Sequence, residues 1–140
     1  MRDESAPTHI TPYGDTLRWI TGGEETEERY SLHHRTAPPG ARALPHSHQA
    51  VIEAFYVLEG EIEFEIDGSP LVGRPGSYVH VPRGVSHSWR AVGDNDAKAL
   101  VMFAPSVPLA FFDEVDEATR APGGPDRPRL IEITRKYNLA

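Results

Sequence analysis

GARALPHSHQAVIEAFYVLEG, running from Gly40 to Gly60, is the stretch whose reading decides the rest of the chain, and His46, His48 and Glu53 are its groups suited to hold a metal ion. In an extended chain residues i and i+2 face the same side, so His46 and His48 project their imidazoles together. Glu53 lies an odd number of positions beyond His48, and an unbroken strand would send it to the opposite face. A turn or bulge through Gln49, Ala50 and Val51 restores it. The following run, Ile52 to Leu58, is apolar at both parities apart from Glu53, which predicts a strand buried on both sides. A buried carboxylate is costly unless compensated, and two histidines and a cation would compensate it.

A second stretch, GSYVHVPRGVSHSWRA from Gly76 to Ala91, has a Pro82–Gly84 turn with His87 just beyond it. Gly40, five residues, His46-Ser47-His48, four residues, Glu53, six residues and Gly60 resemble the first motif of the cupin family. Gly76, five residues, Pro82-Arg83-Gly84, two residues and His87 resemble the second. Both occur in the right order, and the resemblance covers about Tyr30 to Pro105. The family pattern commonly closes on an asparagine, and Ala91 stands there instead, so any role of that side chain is absent.

The resemblance implies an all-β, cupin-type jelly-roll β-barrel with its metal deep inside one open end, and barrels commonly paired into dimers. Short strands, Gly and Pro turns and helices only at the end point independently to a small all-β barrel or sandwich. Three imidazoles and a carboxylate suit one divalent transition metal per chain, whether iron, manganese, nickel, copper or zinc. The residues leave the choice among these open.

The 140-residue length fits one domain, expected over residues 15–140 after a segment at 1–14 that stays mobile unless a partner subunit orders it. A formal charge of −7 argues against nucleic acid or an anionic membrane as partner. The absence of cysteine excludes disulfides and thiolate sites. No long apolar run or signal-peptide core is visible, so a soluble cytoplasmic protein is expected. The edges of a small barrel invite pairing, and a homodimer using the N-terminal strand is expected.

Along the chain, TLRWI is the first strand and GGEETEE a solvated turn. In RYSLHHRTA, Tyr30, Leu32 and His34 share one face, and their apolar company makes His34 the inward histidine, either in the core or at the pocket. EIEFEIDG alternates strictly, placing Glu61, Glu63, Glu65 and Asp67 outward and arguing against them as catalytic groups. DGSP and LVGRPG read as turns. SYVHVP carries His80, a candidate acid–base group if its side faces the pocket. Trp89 shares a face with His87 and is a candidate pocket wall, as are Phe55 and Phe111. Two helices are expected at about 109–119 and 127–137, the second capped by Asp126 with Leu130, Ile131, Ile133 and Tyr137 inward.

For function, the chain resembles quercetinase-like dioxygenases among small cupins, judging also by its FFDEV helix and closing KYNL. In those enzymes the carboxylate ligand is proposed to double as the base that ionises a phenol or enol, a role that transfers to Glu53. A small, flat, enolic or phenolic substrate follows from this reading. The alternatives are a metal-dependent isomerase, cyclase or lyase on a polyketide-like or sugar-like substrate, or a binding protein without turnover, and fold alone does not separate them.

Overall fold

Alternation of apolar and polar positions builds two antiparallel sheets whose inner faces meet in one core. The structure, a computed structural model, describes residues 2–139. Its strands are β1 (Thr8–Ile10), β2 (Thr16–Thr21), β3 (Ser31–Ala37), β4 (Arg42–His46), β5 (Ile52–Glu59), β6 (Glu61–Ile66), β7 (Ser69–Gly73), β8 (Tyr78–Val81), β9 (His87–Val92) and β10 (Ala97–Ala104). Three helices join them: α1 (Gly23–Thr26), α2 (Leu109–Thr119) and α3 (Arg127–Lys136). The larger sheet has the order β1-β2-β3-β10-β5-β8 and the smaller β4-β9-β6-β7. This is the expected all-β jelly roll with short C-terminal helices. No helix among the described residues is long and apolar enough to cross a membrane.

The strict alternation of β6 holds: Ile62 and Phe64 are buried while Glu61 and Glu65 face solvent. Gly60, which precedes β6, has φ +70°, and a side chain there would meet the Ala97 backbone at 2.9 Å. Only glycine satisfies both the left-handed backbone and that approach.

Several expectations are corrected. Residues 8–10, expected in a mobile segment, form β1 and pair with β2. They are held from the other side by α2: His9 Nε2 lies 2.7 Å from Asp113 Oδ1, and the Ile10 N–H donates to Asp116 Oδ1 at 2.7 Å. β5 is buried on both faces only at its start, where Glu53, Ala54 and Phe55 are all inside; beyond them Val57 is buried whereas Tyr56 and Leu58 are exposed. The stretch read as turns around LVG contains β7, an edge strand with four exposed positions and so without alternation to reveal it. The helix boundaries agree with 109–119 and 127–137, but Ile131 is 53% exposed and Ile133 is the fully buried member of α3.

Candidate metal centre

The site lies between the two sheets because its residues come from both. His46 ends β4 and pairs in register with His87, which opens β9. Across the core, Glu53 stands on β5 between Val81 of β8 and Phe103 of β10. The loop through Gln49, Ala50 and Val51 separates β4 from β5, so the parity break inferred for Glu53 is made by a turn. Four potential ligand atoms, one from each of His46, His48, Glu53 and His87, all lie within 4.8 Å of one another.

Each imidazole is oriented by a backbone carbonyl. Nδ1 of His46 lies 2.7 Å from Leu44 O, that of His48 2.8 Å from Leu139 O, and that of His87 3.0 Å from Val85 O. A carbonyl only accepts, so all three Nδ1 atoms carry hydrogen and all three Nε2 atoms present lone pairs when the rings are neutral. His87 Nε2 is 3.0 Å from Glu53 Oε1 and His48 Nε2 is 4.0 Å from it. Carbonyl-held imidazoles of this kind are the usual support of metal-ligating histidines.

The electrostatics favour a cation here. Burial opposes charge on Glu53, but the His87 hydrogen bond, the Arg35 guanidinium and His48 outweigh it and lower its pKa to about 2. Burial likewise opposes charge on His87, yet the Glu53 hydrogen bond prevails and its pKa is raised. Burial pushes His46 down, keeping it neutral and able to donate a lone pair. A buried ionised carboxylate facing three oriented imidazoles fits a divalent transition ion. Binding such an ion would replace the proton shared by His87 and Glu53.

Above these residues is a cavity of about 120 Å³, whose walls include Trp89, Arg35, Tyr13 and Phe103 and whose roof is Phe111 and Leu139. Trp89 and Phe111 thus line it as expected. Phe55 does not: it packs on Phe64 with ring centres 5.0 Å apart, within the core. His80 and His34 are also corrected. His80 is exposed on β8 with its ring toward Tyr78, facing away from the cavity. On β3 the inward parity is Ser31, His33 and Arg35, leaving His34 on the outer face. The inner positions of β3 are polar and only partly paired, by groups distant in sequence. Arg35 Nε lies 2.8 Å from Asp15 Oδ2, and Thr11 hydrogen-bonds Asp15 Oδ1. Arg35 and Asp15 carried no motif signal.

A larger surface groove of about 640 Å³ lies over the outer face of the smaller sheet, between Arg42, Leu44, Glu63, Glu65, Leu71 and Arg90. Its charges include the pair Arg90–Glu63, and the four clustered metal-ligand candidates are not among the residues that line it.

Residues 33–103, which carry both motifs and all four clustered side chains, match the family model described as the cupin domain. The chain belongs to the cupin family. This cupin is 27% identical to quercetin 2,3-dioxygenase of Bacillus subtilis (strain 168) over 123 residues, covering 87% of this chain and 36% of that enzyme. It is 33% identical to polyketide synthase CurC of Streptomyces cyaneus over 98 residues, covering 70% of this chain and 62% of that protein. The chain therefore spans about a third of the first relative and under two thirds of the second. In fold, the polyketide cyclase RemF of Streptomyces resistomycificus is similar, with a TM-score of 0.66 and 21% identity, covering 77% of this chain and 80% of that one.

Proposed function

We propose that His46, His48, Glu53 and His87 hold one divalent transition metal, and that this cupin is a metal-dependent dioxygenase acting on a small, flat, enolic or phenolic substrate. The observation that carries the metal reading is the set of three imidazoles held by backbone carbonyls around one ionised, buried carboxylate. The dioxygenase reading is supported by the similarity to quercetin 2,3-dioxygenase along 87% of the chain. When bound, the ion would supply Lewis acidity or a redox centre with positions left for substrate.

The chain's own residues then have distinct tasks. Trp89, Phe103 and Phe111 exclude water and offer flat apolar walls. Glu53 is placed to accept the proton of a bound hydroxyl. The cavity's 120 Å³ is well below the roughly 300 Å³ of an ordinary small-molecule pocket, which supports a one-ring or acyclic substrate.

A second reading, a cyclase that acts on a polyketide-like substrate with the ion as Lewis acid and consumes no oxygen, draws on the 33% identity to a protein named polyketide synthase and the fold shared with a polyketide cyclase. Oxygen uptake by metal-loaded protein with diketones, catechols and flavonols is the test. Uptake with turnover supports the dioxygenase, and turnover without uptake supports the second reading. On the active substrate, Glu53→Gln at matched metal occupancy is expected to lose about two to four orders of magnitude in rate if Glu53 is the base. Near-equal rates per bound metal would leave it a ligand only. We also infer a homodimer, supported by exposed Tyr56, Leu58 and Tyr78 on the outer face of the larger sheet.

A further inference from the structure

Arg35 is an unusual wall for an apolar cavity. It is 5% exposed, and its guanidinium carbon lies 4.7 Å from the Trp89 ring centre and 5.4 Å from that of Phe55. Asp15, itself 1% exposed, takes the Nε edge at 2.8 Å. The pair is close, but Nε is not aligned as a hydrogen bond, and Nη1 is buried with no hydrogen-bonding partner among the described residues. The side chain lines the same cavity as His46, His48 and Glu53. A buried guanidinium with an unpaired Nη1 has lost its water without full replacement, which is costly unless a ligand completes it. Arginine's planar fork suits a carboxylate or enolate oxygen, and aromatic stacking fixes its plane.

Charge counting gives the same sign. Arg35 and Asp15 cancel, and the dication proposed above exceeds Glu53 by one charge when the three imidazoles are neutral. A largely apolar cavity with one surplus positive charge is completed by one negative charge on the ligand.

We propose that the cavity takes a small monoanion, a carboxylate or ionised enol, and that Arg35 is the group that receives its charged oxygen. This rests on the metal reading above and adds a substrate class to it. Arg35 is accordingly a specificity-determining residue whose mutation changes which ligands bind before it changes metal content.

The test uses isobutyrate and isobutyramide, matched in shape and differing in charge, titrated calorimetrically into metal-loaded protein with metal content measured in parallel. Wild type is expected to prefer the anion at least about tenfold, the scale of one charged hydrogen bond. Some of that preference belongs to the ion itself, so the variants decide. Asp15→Asn combined with Arg35→Gln removes both charges without stranding either, and is expected to lower the preference about tenfold at unchanged metal content. Arg35→Lys, which keeps an ion pair for Asp15 but loses the free edge of the fork, is expected to lower it severalfold and serves if the double variant fails to fold. An unchanged preference in a folded variant would overturn the proposal, leaving Arg35 as the structural partner of Asp15. Stoichiometric metal in wild type with no preference for the anion would overturn it alone. Absence of stoichiometric metal would sink the metal reading first and this proposal with it.

Discussion

His33 shows what a single buried titratable group does to this fold. It is 1% exposed, 4.4 Å from the Phe112 ring centre and 5.5 Å from that of Trp19. Among the described residues its one hydrogen-bond partner is Val101 O, 3.4 Å from Nδ1. Burial first, and then the nearby Arg35 charge, push its pKa down from 6.5 to about 3. The unfolded chain therefore takes up a proton that the folded one refuses. Its share of stability is intact above about pH 6.5 and falls with pH until about 3, by at most about 1.4 kcal/mol per pH unit. Denaturant unfolding at about pH 7 and about pH 4.5 should show His33→Phe losing less stability on acidification than wild type. Parallel losses would mean that other groups carry the acid sensitivity.

At the scale of elements, α3 and the residues after it connect packing to the metal centre. Asp126 caps α3 by accepting from the Arg129 N–H at 3.1 Å, and Ile133 is fully buried against α2. Asn138, at φ 58°, turns the chain so that the Leu139 N–H donates to Thr134 O and the Leu139 carbonyl reaches His48. Deleting Leu139 and Ala140 removes that acceptor and opens the roof while leaving both sheets intact. Metal affinity is expected to fall about 10- to 100-fold, as when a histidine ligand loses its supporting partner. Competition against a chelator of known affinity checks this, and affinity within about twofold of wild type would show that water replaces the carbonyl at no cost. Ile133→Ala is expected to cost about 2–5 kcal/mol through cavity formation, with the melting transition as the readout.

For the whole molecule, the two sheets close a core on one side and leave an apolar area on the other. Tyr56 and Tyr78 are cross-strand partners on the outer face of the larger sheet, 45% and 63% exposed, with Leu58 beside them. The N-terminal strand, expected to reach a partner, already has α2 along its edge. The face of β5 and β8 is therefore the better candidate for the proposed homodimer. Sedimentation at micromolar concentration should show a dimer, and Tyr78→Glu combined with Tyr56→Glu should shift it to monomer without changing metal content. A monomeric wild type would sink the assembly and leave the single-chain site untouched.

The cupin family, the jelly-roll class, both terminal helices and the clustered His46, His48, Glu53 and His87 were legible in the sequence, because each rests on local information. Glycines at turns, alternation in β6 and ligand residues at fixed spacing act over a few positions, and the parity of Glu53 needed only one turn to be resolved. Which side of β3 and β8 faces inward was not legible. His33 and Arg35 go inside with Asp15, Val101 and the aromatic rings of other elements as partial compensation, and none of those partners is near in sequence. His80 faces out for the corresponding reason, since Val79 and Val81 hold the inner parity of β8. Tertiary structure alone joined the site, bringing Glu53 from one sheet, His46 and His87 from the other and a carbonyl from Leu139 to His48. Local pattern sets which residues can bind or bury, whereas the packing of distant strands decides which buried charges have partners.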